Sequence, residues 1–300
     1  MPHTPQCFAH HMGAYMLEEQ FALSVKSKLE GNPQTFLQTF DPKAAYTELL
    51  AAEPIVERRE LYGLTSSGIA IIPVMGVMTK GSNKFGTSIN QARSALQVAV
   101  NDPSVKAIML HMDTPGGSFA GTDDFASDVA RAATIKPLAA HADDLVASAG
   151  MYVASQAPRL TMNPSGSAGS IGTYVVIYDS SGAAEMAGVK VHLVSTGEMK
   201  GAGADGVPVT DKQVGRMQEL VNQAQTFFSA ALQRGRNLTA AQVSALVADG
   251  GTYFAKDAKA KGLIDAVETY DVALDKLASR IRGNGGRSKL ARQIERLRIE

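Results

Sequence analysis

From Gly68 onward the chain alternates between short apolar runs and amphipathic stretches, and that alternation leaves few folds open. The run from Gly68 to Met78, GIAIIPVMGVM, reads as a buried strand. Residues 88–100 place Ile89, Ala92, Leu96 and Val100 at helical spacing. Residues 105–112 form a strand closed by a turn at Asp113, residues 119–133 a helix with Phe119, Phe125 and Val129 inward, and residues 137–142 the next strand. A helix opens at Ser148, and further short strands are expected at 159–163, 173–179 and 189–195. Strand and helix in turn imply an α/β fold with a largely parallel sheet and functional loops at the carboxyl ends of its strands.

The flanks differ from this core. Residues 1–66 read as an N-terminal extension, partly helical over 17–30 and 42–53, with Asp41 and Pro42 as N-cap and first turn. Past residue 210 a long helix covers 211–234, Thr239 caps a second, and strand, short helix and strand follow over 252–267. A central domain is therefore expected over 67–282. Gly283, Gly285 and Gly286 mark a linker, and the tail to residue 300 is a basic amphipathic helix with Leu290, Ile294 and Leu297 on one face.

Composition removes several function classes. The formal net charge is zero, so nothing in bulk favours nucleic acid or an anionic membrane. Cys7 is the single cysteine and cannot form an internal disulfide. The longest apolar run, Ile69 to Met78, is too short to span a bilayer and contains Pro73. The first residues show no basic region followed by an apolar stretch, so no signal peptide and a cytoplasmic location are expected. His10 and His11 are isolated in the extension, no side-chain spacing suggests a metal site, and no phosphate-binding glycine loop is present.

Three short segments carry chemistry. Ser148 lies in Ala147-Ser148-Ala149-Gly150, at the start of a helix whose free N–H groups favour negative charge. The same position suits an ordinary capping serine. Asp113-Thr114-Pro115-Gly116-Gly117 presents backbone N–H groups without side-chain obstruction, as an oxyanion site needs, or simply turns from strand to helix. Lys200 sits among Gly197, Gly201, Ala202 and Gly203. A lysine base must be neutral, which near pH 7 costs about 4 kcal/mol and lies within what burial supplies. His111 and His192 fall inside strand patterns and read as core or sheet-face residues, whereas His141 is the competing base. Position 146 is valine, so the G-x-S-x-G elbow is absent.

Four segments in order resemble the signal peptide peptidase A family of Ser-Lys proteases, in the Clp protease/crotonase superfamily. They are residues 111–121, 144–155, 167–176 and 195–204, and the resemblance extends over roughly 66–270. It implies Ser148 as nucleophile, Lys200 as general base, Ser170 as the hydroxyl that orients the lysine, and Gly116 or Gly117 with Ala149 as the oxyanion hole. Within the family the chain looks most like the tailed-phage and prophage capsid-maturation proteases, which often carry a scaffold segment after the peptidase.

The reading is thus a serine endopeptidase without a cofactor, acting on extended polypeptides, with capsid or scaffold proteins as partners and a cyclic homo-oligomer as its form. If phage-encoded, it works in the host cytoplasm or the assembling prohead. A cellular signal-peptide-peptidase-like enzyme is the alternative within the family. From other classes, an acyl-CoA hydratase or isomerase on the same fold would need a catalytic carboxylate, and an inactive capsid subunit would have no use for the dyad.

Overall fold

The computed structural model describes residues 15–17, 55–58, 61–81 and 86–282. The helices expected at 17–30 and 42–53 lie outside these residues, apart from Leu17, which is in a strand; the tail helix after 283 lies outside them too. The central sheet runs β10-β9-β7-β5-β4-β3-β2, with β8 and β11 attached beside β7. These strands are β2 (Ile55–Arg58), β3 (Gly63–Thr65), β4 (Ile69–Met75), β5 (Ala107–Thr114), β7 (Leu138–Ala147), β8 (Leu160–Met162), β9 (Ser167–Gly169), β10 (Thr252–Phe254) and β11 (Ala266–Val267). The pairs β4–β5, β5–β7, β7–β8, β7–β9 and β8–β11 are parallel. The outer pairs β2–β3, β3–β4 and β9–β10 are antiparallel. A separate two-stranded pair joins β1 (Tyr15–Leu17) to β6 (Gly116–Ser118). The fold is mixed α/β with a largely parallel sheet, as the alternation implied.

The period of two along the strands decides which side chains meet which layer. Ala70, Ile72, Ile108, Leu110 and Ala140 enter the main core. That core is covered by α1 (Ile89–Asn101), α2 (Thr122–Ile135), α3 (Ala149–Ala154) and α5 (Asp211–Arg236). Ile69, Ile71, Ala107, Met109 and Ala139 face the other way, against Ala273, Leu274, Leu277 and Ala278 of a last helix, α8, at 270–282. Continuous apolar runs in β4 and β5 follow from this, since both faces are buried. Ser88 caps α1 through its side chain, while Thr210 and Thr239 close capping boxes on α5 and on α6 (Ala240–Asp249), and the short α7 (Ala255–Ala260) follows β10.

Two expected strands are not formed. Residues 173–179 and 189–195 make no named strand, and only Tyr174 enters an isolated bridge. Between them lies the six-residue helix α4 (Ser181–Met186). The alternation of β-branched residues there is genuine, but the stretch pairs with no named strand of the sheet, and Val176, Tyr178, Val189, Leu193 and Val194 are left exposed. His192, expected on a sheet, is exposed in this stretch for the same reason. The helix expected from 119 begins at Thr122, and Phe119 packs against the core from the preceding turn.

The second face depends on few residues, so it should be sensitive to truncation. Leu277→Ala is expected to lower the unfolding free energy by about 2–5 kcal/mol in a urea titration, from lost burial and the cavity left under α8.

Candidate active site

Ser148 follows β7 directly and precedes α3. Its backbone is left-handed, φ 53° and ψ −118°, a conformation that costs a non-glycine residue about 1–3 kcal/mol and persists only where its surroundings fix it. They do so through the main chain. The Ser148 N–H donates to Gly169 O at 2.9 Å, and Ser148 O accepts from Tyr152 N–H at 2.9 Å. The side chain is buried and makes no capping bond, and Oγ has no hydrogen-bond partner among the described residues. An ordinary capping serine would spend its hydroxyl on the helix; this one does not.

Glycines allow the surroundings to close in. A side chain at Gly150 would lie 2.4 Å from Thr114 Cγ2. At Gly117 it would lie 1.9 Å from Met78 O, so only glycine permits that crossing. The two glycines of the turn also divide their roles. Gly116 N–H donates to Thr114 Oγ1 at 3.1 Å, and Thr114 Oγ1 in turn donates to Gly76 O at 2.6 Å. Met78 N–H donates to Gly116 O at 2.8 Å, and Ser118 N–H donates to Met78 O at 2.7 Å. Strand alternation then turns the Gly117 N–H to the opposite edge. Of the two candidates, Gly116 is committed to Thr114, and Gly117 turns its N–H to the edge of β6 opposite Met78. Ala149 is buried in the first turn of α3, so its N–H has no partner within the helix.

Ser170 ends β9 as Ser148 ends β7, and these strands pair with Ala147 opposite Gly169. It too is left-handed, φ 52°, and its N–H donates to Gly251 O at 2.7 Å. The sheet therefore brings Ser148 and Ser170 to neighbouring strand ends. Lys200 is not brought to them: it lies exposed in the turn over 198–203, its N–H donating to Gly197 O at 3.0 Å.

The histidines are occupied elsewhere. His141 is buried beside Thr161 Oγ1 at 2.8 Å and Asn163 Oδ1 at 3.3 Å, and burial holds its imidazole below the ordinary range. His111 meets Asp143 Oδ2 at 2.6 Å and stacks on Tyr270 with centroids 4.1 Å apart. Burial pushes Asp143 up, but the His111 hydrogen bond and the two imidazoles outweigh it and leave its carboxyl low. Neither ring serves Ser148. Among the described residues no cluster of three or more His, Cys, Asp or Glu is placed to hold a metal.

Two supporting contacts were not visible from the residues alone. Thr114 fixes the glycine turn, and Tyr152 OH donates to Asp123 Oδ1 at 2.5 Å, tying α3 to α2. Thr114 had a signal, its place in the glycine segment; the pairing of Tyr152 with Asp123 had none.

Residues 130–282 match the model of peptidase family S49. The chain belongs to this family. Similar relatives include "Capsid assembly protease C" of Escherichia phage lambda, 31% identical over 72% of this chain and 52% of the relative. "Head-tail preconnector protein GP5" of Enterobacteria phage P21 is 29% identical over 72% of this chain and 45% of the relative. "Protease 4" of Salmonella typhi is 29% identical over 71% and 35%. The chain thus spans about half the length, or less, of these relatives. Among solved structures, the ClpP protease catalytic domain from Plasmodium falciparum aligns with a TM-score of 0.41 and 15% identity, over 67% of this chain and 86% of that one. Among the described residues no helix is long and apolar enough to cross a membrane.

The glycine turn also carries a stability signal. Burial, then the Asp144 and Asp143 carboxylates, push Asp113 from 3.8 up to about 6. A carboxyl that holds its proton more tightly in the fold favours folding most below its unfolded pKa, and that share is lost as pH rises from about 4 to about 6. Asp113→Asn should therefore melt higher than wild type at pH 8. The difference should shrink as pH falls and vanish below about pH 4 in thermal scans.

Proposed function

We propose that the chain is a serine endopeptidase in which Ser148 is the nucleophile and Lys200 the general base. The observation that carries this reading is the buried, strained Ser148, whose hydroxyl has no hydrogen-bond partner among the described residues. Lys200 takes the Ser148 proton as Oγ attacks the scissile carbonyl. The N–H groups of Gly117 and Ala149 hold the oxyanion, where one such donor is typically worth about 2.7–4 kcal/mol. The amine then protonates the leaving nitrogen and activates water to release the acyl group. Ser170, on the adjacent strand end, orients the lysine. By likeness to the phage relatives, the substrates are capsid or scaffold proteins, met in the host cytoplasm or the assembling prohead.

The same reading makes the active form a cyclic homo-oligomer. Lys200 is exposed and lies on the stretch that leaves Val176, Tyr178, Val189 and Val194 uncovered. A neighbouring subunit that pairs with this stretch would bury its apolar side chains and carry a lysine to the serine. Such a junction supplies the desolvation that a lysine base requires.

Ser148→Ala should abolish cleavage of capsid or scaffold polypeptides while leaving the melting temperature near wild type. Lys200→Ala should be inactive, and so should Lys200→Arg, since arginine stays charged. Mixing the inactive Ser148→Ala and Lys200→Ala proteins should restore part of the activity, because some junctions regain both groups. A fully active monomer by light scattering would refute the shared site, and activity in Ser148→Ala within tenfold of wild type would refute the nucleophile.

Ser170→Ala should slow cleavage without ending it, because the hydroxyl orients the base and does not react. Its pH–rate profile should shift along with the rate, which a merely structural serine would not cause; full activity at every pH would reduce Ser170 to a turn residue.

A further inference from the structure

The strand β6 has two neighbours. On one side its Gly116 O and Ser118 N–H bond to Met78, at 2.8 and 2.7 Å. On the other side, toward which the Gly117 N–H and C=O turn, lies β1. The pairing is antiparallel, with Tyr15 opposite Ser118, Met16 opposite Gly117 and Leu17 opposite Gly116. The backbone of Met16 therefore stands at the donor assigned above to the oxyanion. This pair forms a two-stranded sheet of its own, with three residues on each side. Pairs of that size are marginal in water and exchange readily for another strand.

An extended polypeptide recognised through its main chain adds to a sheet edge in just this way, backbone to backbone. Gly150, two residues past Ser148, packs against Thr114 at the entry to β6, and the chain already fills the edge of β6 with its own residues. We propose that residues 15–17 are an intramolecular stand-in for the substrate: β1 occupies the groove along β6, blocks the Gly117 donor, and must leave before an extended polypeptide can bind. The inference rests on the serine-peptidase reading and adds a self-blocked resting state to it. It also gives the direction in which substrate runs, antiparallel to Gly116–Ser118.

Met16→Pro in the full chain removes the N–H that faces Gly117 and disfavours the strand. Hydrogen exchange at the Gly117 amide reads the pairing directly and should be about tenfold faster in the variant, the worth of one to two strand hydrogen bonds. With an extended fluorogenic peptide, KM should fall about tenfold in Met16→Pro while kcat is unchanged. A synthetic peptide of residues 11–22 should inhibit the variant competitively. Labelling of Ser148 by a small alkyl fluorophosphonate, which needs no strand edge, should occur in both proteins. Equal Gly117 exchange in the two proteins, or equal KM with Ser148 labelled in both, overturns the proposal and leaves the peptidase reading standing. Absence of Ser148 labelling in both proteins overturns the peptidase reading, and the substrate role of β1 falls with it.

Discussion

Ser148 can be held with its side chain idle because β7 is bound along both edges. One edge pairs with β5 from Leu138 to Val146. The other is divided, with β8 taking Ala140–Ala142 and β9 taking Leu145–Ala147. A strand fixed in this way cannot slip by one residue, since a slip would turn its buried side chains to the wrong layer. The residue after it is consequently placed by main-chain bonds from neighbouring strands. The hydroxyl contributes nothing to that placement, which is what leaves it available for chemistry.

The parts of this fold that were legible in the sequence are those whose burial or capping shows in residue type over a short stretch. Residues 69–72 and 107–110 are buried on both faces, so they read as unbroken apolar runs, and the capping boxes at Thr210 and Thr239 announce their helices by residue type alone. Residues 173–179 and 189–195 have the composition of strands, but a strand also needs an edge, and composition does not say who provides it. No named strand pairs with this stretch, and it stays exposed. β1 failed for the opposite reason. Tyr15, Met16 and Leu17 are too few to show a period, and their pairing with β6 spans about a hundred residues of sequence.

The site itself divides along the same line. Ser148, Gly117 and Ala149 were recognisable from short motifs, and the sheet gathers the motifs of the first two because both lie just past the ends of adjacent parallel strands. What the motifs could not reveal is the division of labour between Gly116 and Gly117, which depends on Thr114 and on the approach of Met78. Nor could they reveal that Lys200 stands apart. Ser148 is placed by main-chain bonds at a strand end, whereas Lys200 lies exposed on a turn.

The left-handed backbone at Ser148 also limits how such a site can drift in evolution. Serine and threonine offer the same aliphatic hydroxyl, and elsewhere one often replaces the other. At φ 53° a branched β-carbon meets the neighbouring carbonyl, and β-branched residues are outliers in this region of backbone space. A threonine here would carry the right functional group on a backbone that resists it. The same holds at Ser170, where φ is 52°. Among hydroxyl-bearing side chains the geometry therefore admits the unbranched one at both strand ends, and a lineage that loses either serine has no neighbouring alcohol to fall back on.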